Sequence, residues 1–269
     1  MKESEMPIGI FDSGIGGMTV AHAIRELMPG ESLVYFGDTA HLPYGDKSEA
    51  AIQAYSIKIA DILLEKNCKV IVIACNSASS SAYELLREYV GSKTRVINVI
   101  DPMIEHVGAN FSGRKVGLIG TRRTIESGVY ASKLNSLNPD VELISMATPL
   151  LVPMIEEGFL HNRISTDIIS AYLGDAVFDG IEGLILGCTH YPLIMKSLGE
   201  FLGEGVEILD SSQITAQHVQ DLLTSQELLC EHCGGDDEFF VSDYTSSFEA
   251  STRMFFGEKV RLTNYRLWE

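Results

Sequence analysis

Two short apolar runs, each ending at a cysteine, limit what this chain can fold into more than any other feature. Val70-Ile71-Val72-Ile73 is β-branched and unbroken, and passes through Ala74 into Cys75-Asn76-Ser77-Ala78-Ser79. Gly183-Leu184-Ile185-Leu186-Gly187 passes in the same way into Cys188-Thr189-His190-Tyr191-Pro192. An apolar run without polar alternation reads as a strand buried on both faces, and such strands belong to parallel sheets covered by helices. The small polar residues after Cys75 suit the amino end of the next helix. Each thiol is thus expected at the carboxyl end of a strand and beside a helix amino terminus, a place that lowers a thiol's pKa and makes it reactive.

The rest of the chain supports an α/β reading. Ile8 to Phe11 reads as a buried strand, Asp12-Ser13-Gly14-Ile15-Gly16-Gly17 as a turn, and the pattern through Leu27 as a helix ended by Pro29-Gly30. Strands follow at 33–38, 70–74 and 95–99, with helices predicted over about 47–66 and 82–90, and Asp101-Pro102 marks a crossing to another unit. The order then restarts. Strands are predicted at 116–121, 141–145, 183–187 and 206–210, with helices up to 137 and over 149–157, 165–178 and 211–223. A last strand at 239–243 and a last helix at 248–256 complete the reading. Regular alternation implies parallel sheets flanked by helices, and weak self-similarity at half-chain spacing implies two like domains.

Charge and cysteine usage remove several function classes. At 269 residues with a formal charge of −17, the chain repels phosphate backbones and anionic lipid, so no nucleic-acid partner is expected. Five dispersed cysteines, Cys68, Cys75, Cys188, Cys230 and Cys233, do not form a disulfide framework and suit a reducing compartment. The first residues lack the apolar core of a secretion signal and no apolar run spans a bilayer, so a soluble cytoplasmic protein without a membrane partner is expected. The oligomeric state stays open, a homodimer being one option.

Two thiols on opposite sides of a small molecule suggest a chemistry. One, as thiolate, removes a proton from carbon, and the other, as thiol, returns a proton to the opposite face; the centre inverts. Cys75 and Cys188 lie 113 residues apart in the chain, but ligands in open α/β sheets collect outside the carboxyl ends of strands, where both are predicted. A lone free cysteine is more often a small buried hydrophobe; two in matching polar turns are a stronger signal. His190 and Asp12 are the candidates for proton relay, since an unaided thiol is only slightly ionised at neutral pH. His22, His41, His106, His161 and His218 read as surface or capping residues.

Three other motifs compete. Gly14-x-Gly16 after a strand, with Asp38 further on, partly imitates a dinucleotide fingerprint, but Thr19 occupies the third glycine position and Asp12 would oppose a pyrophosphate. Gly120-Thr121-Arg122-Arg123-Thr124 offers amide, hydroxyl and guanidinium donors for a carboxylate, or simply a helix cap. Cys230-Glu231-His232-Cys233 resembles half a zinc site with no second ligand pair, and more simply reads as a surface turn, so no metal is expected.

Taken together, Ile10-Phe11-Asp12-Ser13-Gly14-Ile15-Gly16-Gly17, Leu42-Pro43-Tyr44-Gly45, Ala74-Cys75-Asn76-Ser77-Ala78 and Gly187-Cys188-Thr189-His190-Tyr191-Pro192 resemble the motifs of the glutamate racemases, in the same order and over nearly the whole chain. The resemblance implies a cofactor-independent enzyme that interconverts L- and D-glutamate for peptidoglycan, in a cleft between two pseudo-symmetric domains, 6–98 with 211–269 and 99–210. It also implies that Cys75 takes the proton from the D-enantiomer and Cys188 from the L-enantiomer. Asp12 and His190 match the assisting residues, and Glu156 matches a glutamate that orients the histidine. Substrate contacts carried over by motif are Asp12, Ser13, Tyr44, Gly45, Asn76, Ser77, Thr121, Thr189 and His190. Ser77 departs from the more usual threonine but keeps the hydroxyl. An aspartate racemase of the same superfamily, a two-lobed amino-acid-binding protein without turnover, and a dinucleotide oxidoreductase remain as alternatives.

Overall fold

The apolar runs become the central strands of two parallel sheets. In the computed structural model, which describes residues 2–230, 236–258 and 260–267, β1 (Ile8–Asp12) leads into α1 (Met18–Leu27), β2 (Leu33–Gly37) into α2 (Glu49–Glu65), and β3 (Val70–Ile73) into α3 (Asn76–Val90). Then come β4 (Arg95–Asn98), α4 (Ile100–Asn110), β5 (Lys115–Gly120), α5 (Arg122–Glu126), α6 (Val129–Leu137), β6 (Glu142–Ala147), α7 (Leu151–Glu156) and α8 (Arg163–Leu173). The chain continues with β7 (Gly183–Gly187), α9 (Met195–Leu202), β8 (Glu207–Asp210), α10 (Ser211–Ser225), β9 (Glu238–Val241), α11 (Ser246–Phe256) and β10 (Thr263–Asn264).

The first sheet has the order β10-β9-β2-β1-β3-β4 and the second the order β6-β5-β7-β8, with every described pairing parallel. Parallel pairing requires every return to cross over one face, so the strands nearest the middle are covered twice. All residues of β1, β2, β3 and β7 are accordingly buried. One apolar cluster fills the space between the sheets, joining α1, α4 and α10 to the second sheet. Another covers the outer face of the first sheet under α2 and α3.

Several helix ends differ from the sequence reading, each for a local reason. The Asp101-Pro102 crossing lies inside α4: Pro102 stands in the first turn, where a missing N–H breaks no intrahelical bond. The Asn98 side-chain oxygen caps that turn, accepting from Ile100 N at 2.7 Å and Asp101 N at 2.8 Å. α3 begins at Asn76, not near residue 82, because the serine-rich stretch is held by burial of Ser77, Ala78, Ser79 and Ala82 rather than by helix propensity. The helix expected to run to Leu137 is broken at Gly128, whose φ of 66° is left-handed backbone that favours glycine. The short β10 follows the strand and helix taken as last.

Candidate active site

Both cysteines stand where the strands end. Cys75 follows β3, which lies between β1 and β4, and it caps α3, its sulfur accepting from Ala78 N at 3.4 Å. Ser13 Oγ, from the turn after β1, lies 3.8 Å from the same sulfur. Cys188 follows β7, which lies between β5 and β8. Its sulfur is 3.7 Å from His190 Nδ1, and His190 Nε2 is 3.1 Å from Glu156 Oε1 at the end of α7. The two sulfurs line one cavity although they follow strands of different sheets.

Most of the residues singled out from sequence meet here. Ser13, Tyr44, Gly45, Asn76, Ser77, Thr121, Glu156, Thr189 and His190 line the cavity together with the two cysteines. Ser77 Oγ and Thr121 Oγ1 lie 2.8 Å apart, joining the start of α3 to the start of α5 across the two sheets. Gly45 faces Thr121 so closely that a Cβ on it would stand 2.8 Å from Thr121 Cβ. The Tyr44 hydroxyl donates to Asp38 at 2.7 Å. The Asn76 side-chain oxygen accepts from Tyr130 OH at 2.7 Å, whereas its buried Nδ2 has no partner among the described residues. That amide is a donor held ready for an acceptor, since a buried polar group left unpaired is costly.

Asp12 stands behind the wall rather than in it. It is fully buried, and its Oδ2 accepts from Gly14 N at 3.0 Å, while Oδ1 has no partner among the described residues. Burial raises its pKa, against the charge of His190 and the backbone N–H groups of Gly17, Gly14 and Ser13. Burial also pushes the Cys75 thiol up, and the Asp12 carboxylate adds to the effect. For His190 burial acts downward, but the hydrogen bonds and charges of Cys188 and Glu156 outweigh it and lift the ring to about 10. His190 is therefore the local cation of this site at neutral pH, set between a thiol and a carboxylate.

The glycine loop has no room for a pyrophosphate. A Cβ on Gly16 would stand 2.6 Å from His190 Nδ1 and 2.7 Å from Thr189 Oγ1, so the second sheet's turn fills the place where a phosphate would lie. Asp38, the residue that would hold a ribose, is buried and accepts from Tyr44 OH and from Ser242 Oγ at 2.6 Å. Arg122 and Arg123 do not supply donors to the cavity either. Arg122 pairs with Asp46 at 3.2 Å, in the turn before α2, and Arg123 reaches Glu49 of α2 at 2.8 Å and Ser81 of α3 at 2.9 Å, so both guanidinium groups tie α5 to the first sheet's side of the molecule. Thr121 is the cap of α5, accepting from Thr124 N.

Sequence reasoning missed residues that carry no chemical label. Val152 closes one wall of the cavity. Phe255, from α11, meets the His190 ring edge-on with centroids 5.2 Å apart. Tyr130 fixes Asn76. Among the described residues no cluster of three or more His, Cys, Asp and Glu is placed to hold a metal, and residues 231–235 of the Cys230–Asp237 segment lie outside the described part. No helix among the described residues is long and apolar enough to cross a membrane.

Known proteins share this arrangement. The family described as Asp/Glu/Hydantoin racemase matches residues 18–219. A glutamate racemase of Geobacter metallireducens is 41% identical over 254 residues, covering 94% of this chain and 93% of that protein. Among solved structures, the glutamate racemase of Francisella tularensis in complex with D-glutamate superposes with a TM-score of 0.92 at 36% identity, over 98% of this chain and 99% of that one. The Thermus thermophilus glutamate racemase in complex with beta-chloro-D-alanine gives 0.88 at 40% identity, over 98% of both chains. With likeness of this extent added to the paired cysteine turns, the chain belongs to the Asp/Glu/hydantoin racemase family, and within it to the glutamate racemases.

Proposed function

We propose that this protein interconverts L- and D-glutamate by a two-base transfer between Cys75 and Cys188, and so supplies D-glutamate for peptidoglycan. The single observation that carries the reading is one cavity lined by two thiols from two different sheets. The relative solved with D-glutamate supports the substrate, as does its nearly complete coverage of the chain. We assign the halves as 6–98 with 211–269, carrying Cys75, and 99–210, carrying Cys188.

For L-glutamate, the Cys188 thiolate takes the α-proton, and the electron pair stays on carbon, delocalised toward the carboxylate. The Cys75 thiol then gives its proton to the opposite face. D-glutamate leaves behind a Cys188 thiol and a Cys75 thiolate, the mirror of the starting state. His190, protonated through neutral pH, stands with Nδ1 3.7 Å from the Cys188 sulfur, and Glu156 holds the ring in place. On the other side, burial and Asp12 favour the neutral Cys75 thiol, which suits a proton donor. The substrate ammonium, once beside it, shifts the balance toward thiolate for the reverse reaction.

An α-carbon is far less acidic than a thiol, so the carbanion needs donors at the substrate carboxylate. Asn76 Nδ2 is buried without a partner among the described residues, and Ser77, Thr121 and Thr189, each with a hydroxyl, line the same cavity. Asp12 interacts electrostatically with Cys75 and with His190, which suits a relay behind both. The test is exchange of the α-proton with deuterated solvent and loss of optical rotation, each without added cofactor. Cys75→Ala and Cys188→Ala should each abolish racemisation, and racemisation persisting in either variant would refute the two-base assignment.

A further inference from the structure

Thr19 stands where a dinucleotide fingerprint has its third glycine, and its hydroxyl is committed to the other sheet. Thr19 Oγ1 lies 3.0 Å from the Thr189 carbonyl oxygen and 3.0 Å from the Gly16 carbonyl oxygen. Its one proton satisfies either carbonyl, and both belong to the contact between the glycine loop and the turn that carries Cys188 and His190. Behind it, Ser212 Oγ donates to Thr19 Oγ1 at 3.3 Å, and the neighbouring Ser211 Oγ donates to the Leu186 carbonyl of β7 at 3.3 Å. Thr19 is 8% exposed and Ser212 2%, so water does not compete for these bonds. Gly16 leaves just enough space for Thr189 and His190 to sit against the loop.

We propose that Thr19, backed by Ser212, is a positioning residue for Cys188: it pins the Thr189 carbonyl, and with it the whole Cys188–His190 turn, against the glycine loop. The loop is then the seat of the opposing catalytic turn, and the hydroxyl its latch. This rests on the assignment of Cys188 as one of the two bases. Neither Thr19 nor Ser212 lines the cavity, so neither touches substrate.

Rates alone do not locate the effect. Enantiomers are equally stable in solution, so any variant changes kcat/KM by the same factor in both directions. Isotope effects are not so constrained. A slower transfer at Cys188 raises the α-deuterium effect for L-glutamate, whose proton Cys188 removes, and lowers it for D-glutamate, whose proton Cys75 removes. The full-length chain is compared as wild type, Thr19→Val, Thr19→Ser and Ser212→Ala, with both α-deuterated enantiomers. Thr19→Val should lower kcat roughly tenfold to a hundredfold with KM little changed, as a small misplacement of a reacting group does. The isotope effects should move apart in the directions given, Ser212→Ala should follow weakly, and Thr19→Ser should restore both rate and isotope pattern. A wild-type kcat in Thr19→Val, isotope effects that move alike for the two enantiomers, or a serine variant as poor as valine overturns the proposal. Should Thr19→Val not fold, the isotope pattern of Ser212→Ala decides on the same terms. A Cys188→Ala variant that still racemises glutamate instead overturns the base assignment itself, and the pin with it.

Discussion

At the scale of single residues, His190 is unusual in being 7% exposed and yet protonated through neutral pH. Its folded pKa of about 10 lies above the ordinary 6.5, so the native state binds the proton more tightly than the unfolded chain does. The stability this contributes is complete below pH 6.5 and is lost as pH rises toward 10. Glu156 supplies part of that lift, so Glu156→Gln should lower the His190 titration midpoint, read from its ring protons by NMR, and bring the alkaline fall of kcat to lower pH. An unmoved midpoint would show that Cys188 alone holds the charge. At this scale the strand-end places of Cys75 and Cys188 were legible in the apolar runs and polar turns themselves, whereas Ser13, Tyr44, Gly45, Ser77, Thr121 and Glu156, which line the same cavity, entered through the resemblance. Phe255 and Val152 were not legible, since an aromatic or β-branched residue in a helix reads the same whether it faces the core or the cavity. Arg122 and Arg123 misled for the opposite reason: a guanidinium suits a substrate carboxylate in principle, and here Asp46 and Glu49 had the prior claim.

At the scale of elements, the strand–turn–helix units carry the argument, and the glycine loop after β1 shows why. Its small residues serve close approach of protein to protein. Gly16→Ala places a methyl against His190 and Thr189, neither of which can retreat without moving Cys188. The variant should fold, with a modest fall in thermal midpoint, and lose at least about tenfold in kcat, as misplaced catalytic groups do; racemisation at the wild-type rate would show that the turn has slack. The positions of the longer strands followed from the apolar runs; their order within each sheet did not. α4 did not follow either, because Pro102 signals a boundary equally well from just inside a helix and from just outside it. α3 was shortened in the sequence reading because the serines at 77, 79, 80 and 81 are indifferent helix formers, and burial of Ser77, Ala78, Ser79 and Ser81 holds the turn.

At the scale of the molecule, one buried ion pair fastens the end of the first sheet opposite the cavity. Lys69, at the amino end of β3, bonds Glu31 at 2.6 Å, the Ser4 carbonyl at 2.7 Å and the Leu228 carbonyl at 3.0 Å, and both charged side chains are fully buried. Glu31 also accepts from Cys230 N at 2.8 Å. Lys69→Met strands the Glu31 charge and should cost about 3–5 kcal/mol in denaturant unfolding, with much of it recovered in Lys69→Met/Glu31→Leu. Racemisation per folded molecule should stay near wild type in both, and a loss confined to activity would contradict this placement. The pairing of β9 with β2 has a consequence of another kind. Val34 to Gly37 find their partners at Glu238 to Val241, some two hundred residues later, after the whole second sheet has intervened. During synthesis the first sheet therefore waits with the β2 edge open while the ribosome delivers nearly everything else. Such a delayed closure is slow and exposes a strand edge to the wrong partner. The β2 edge stays open until Glu238 to Val241 have been made, so chaperone supply and a premature stop before that strand bear directly on yield.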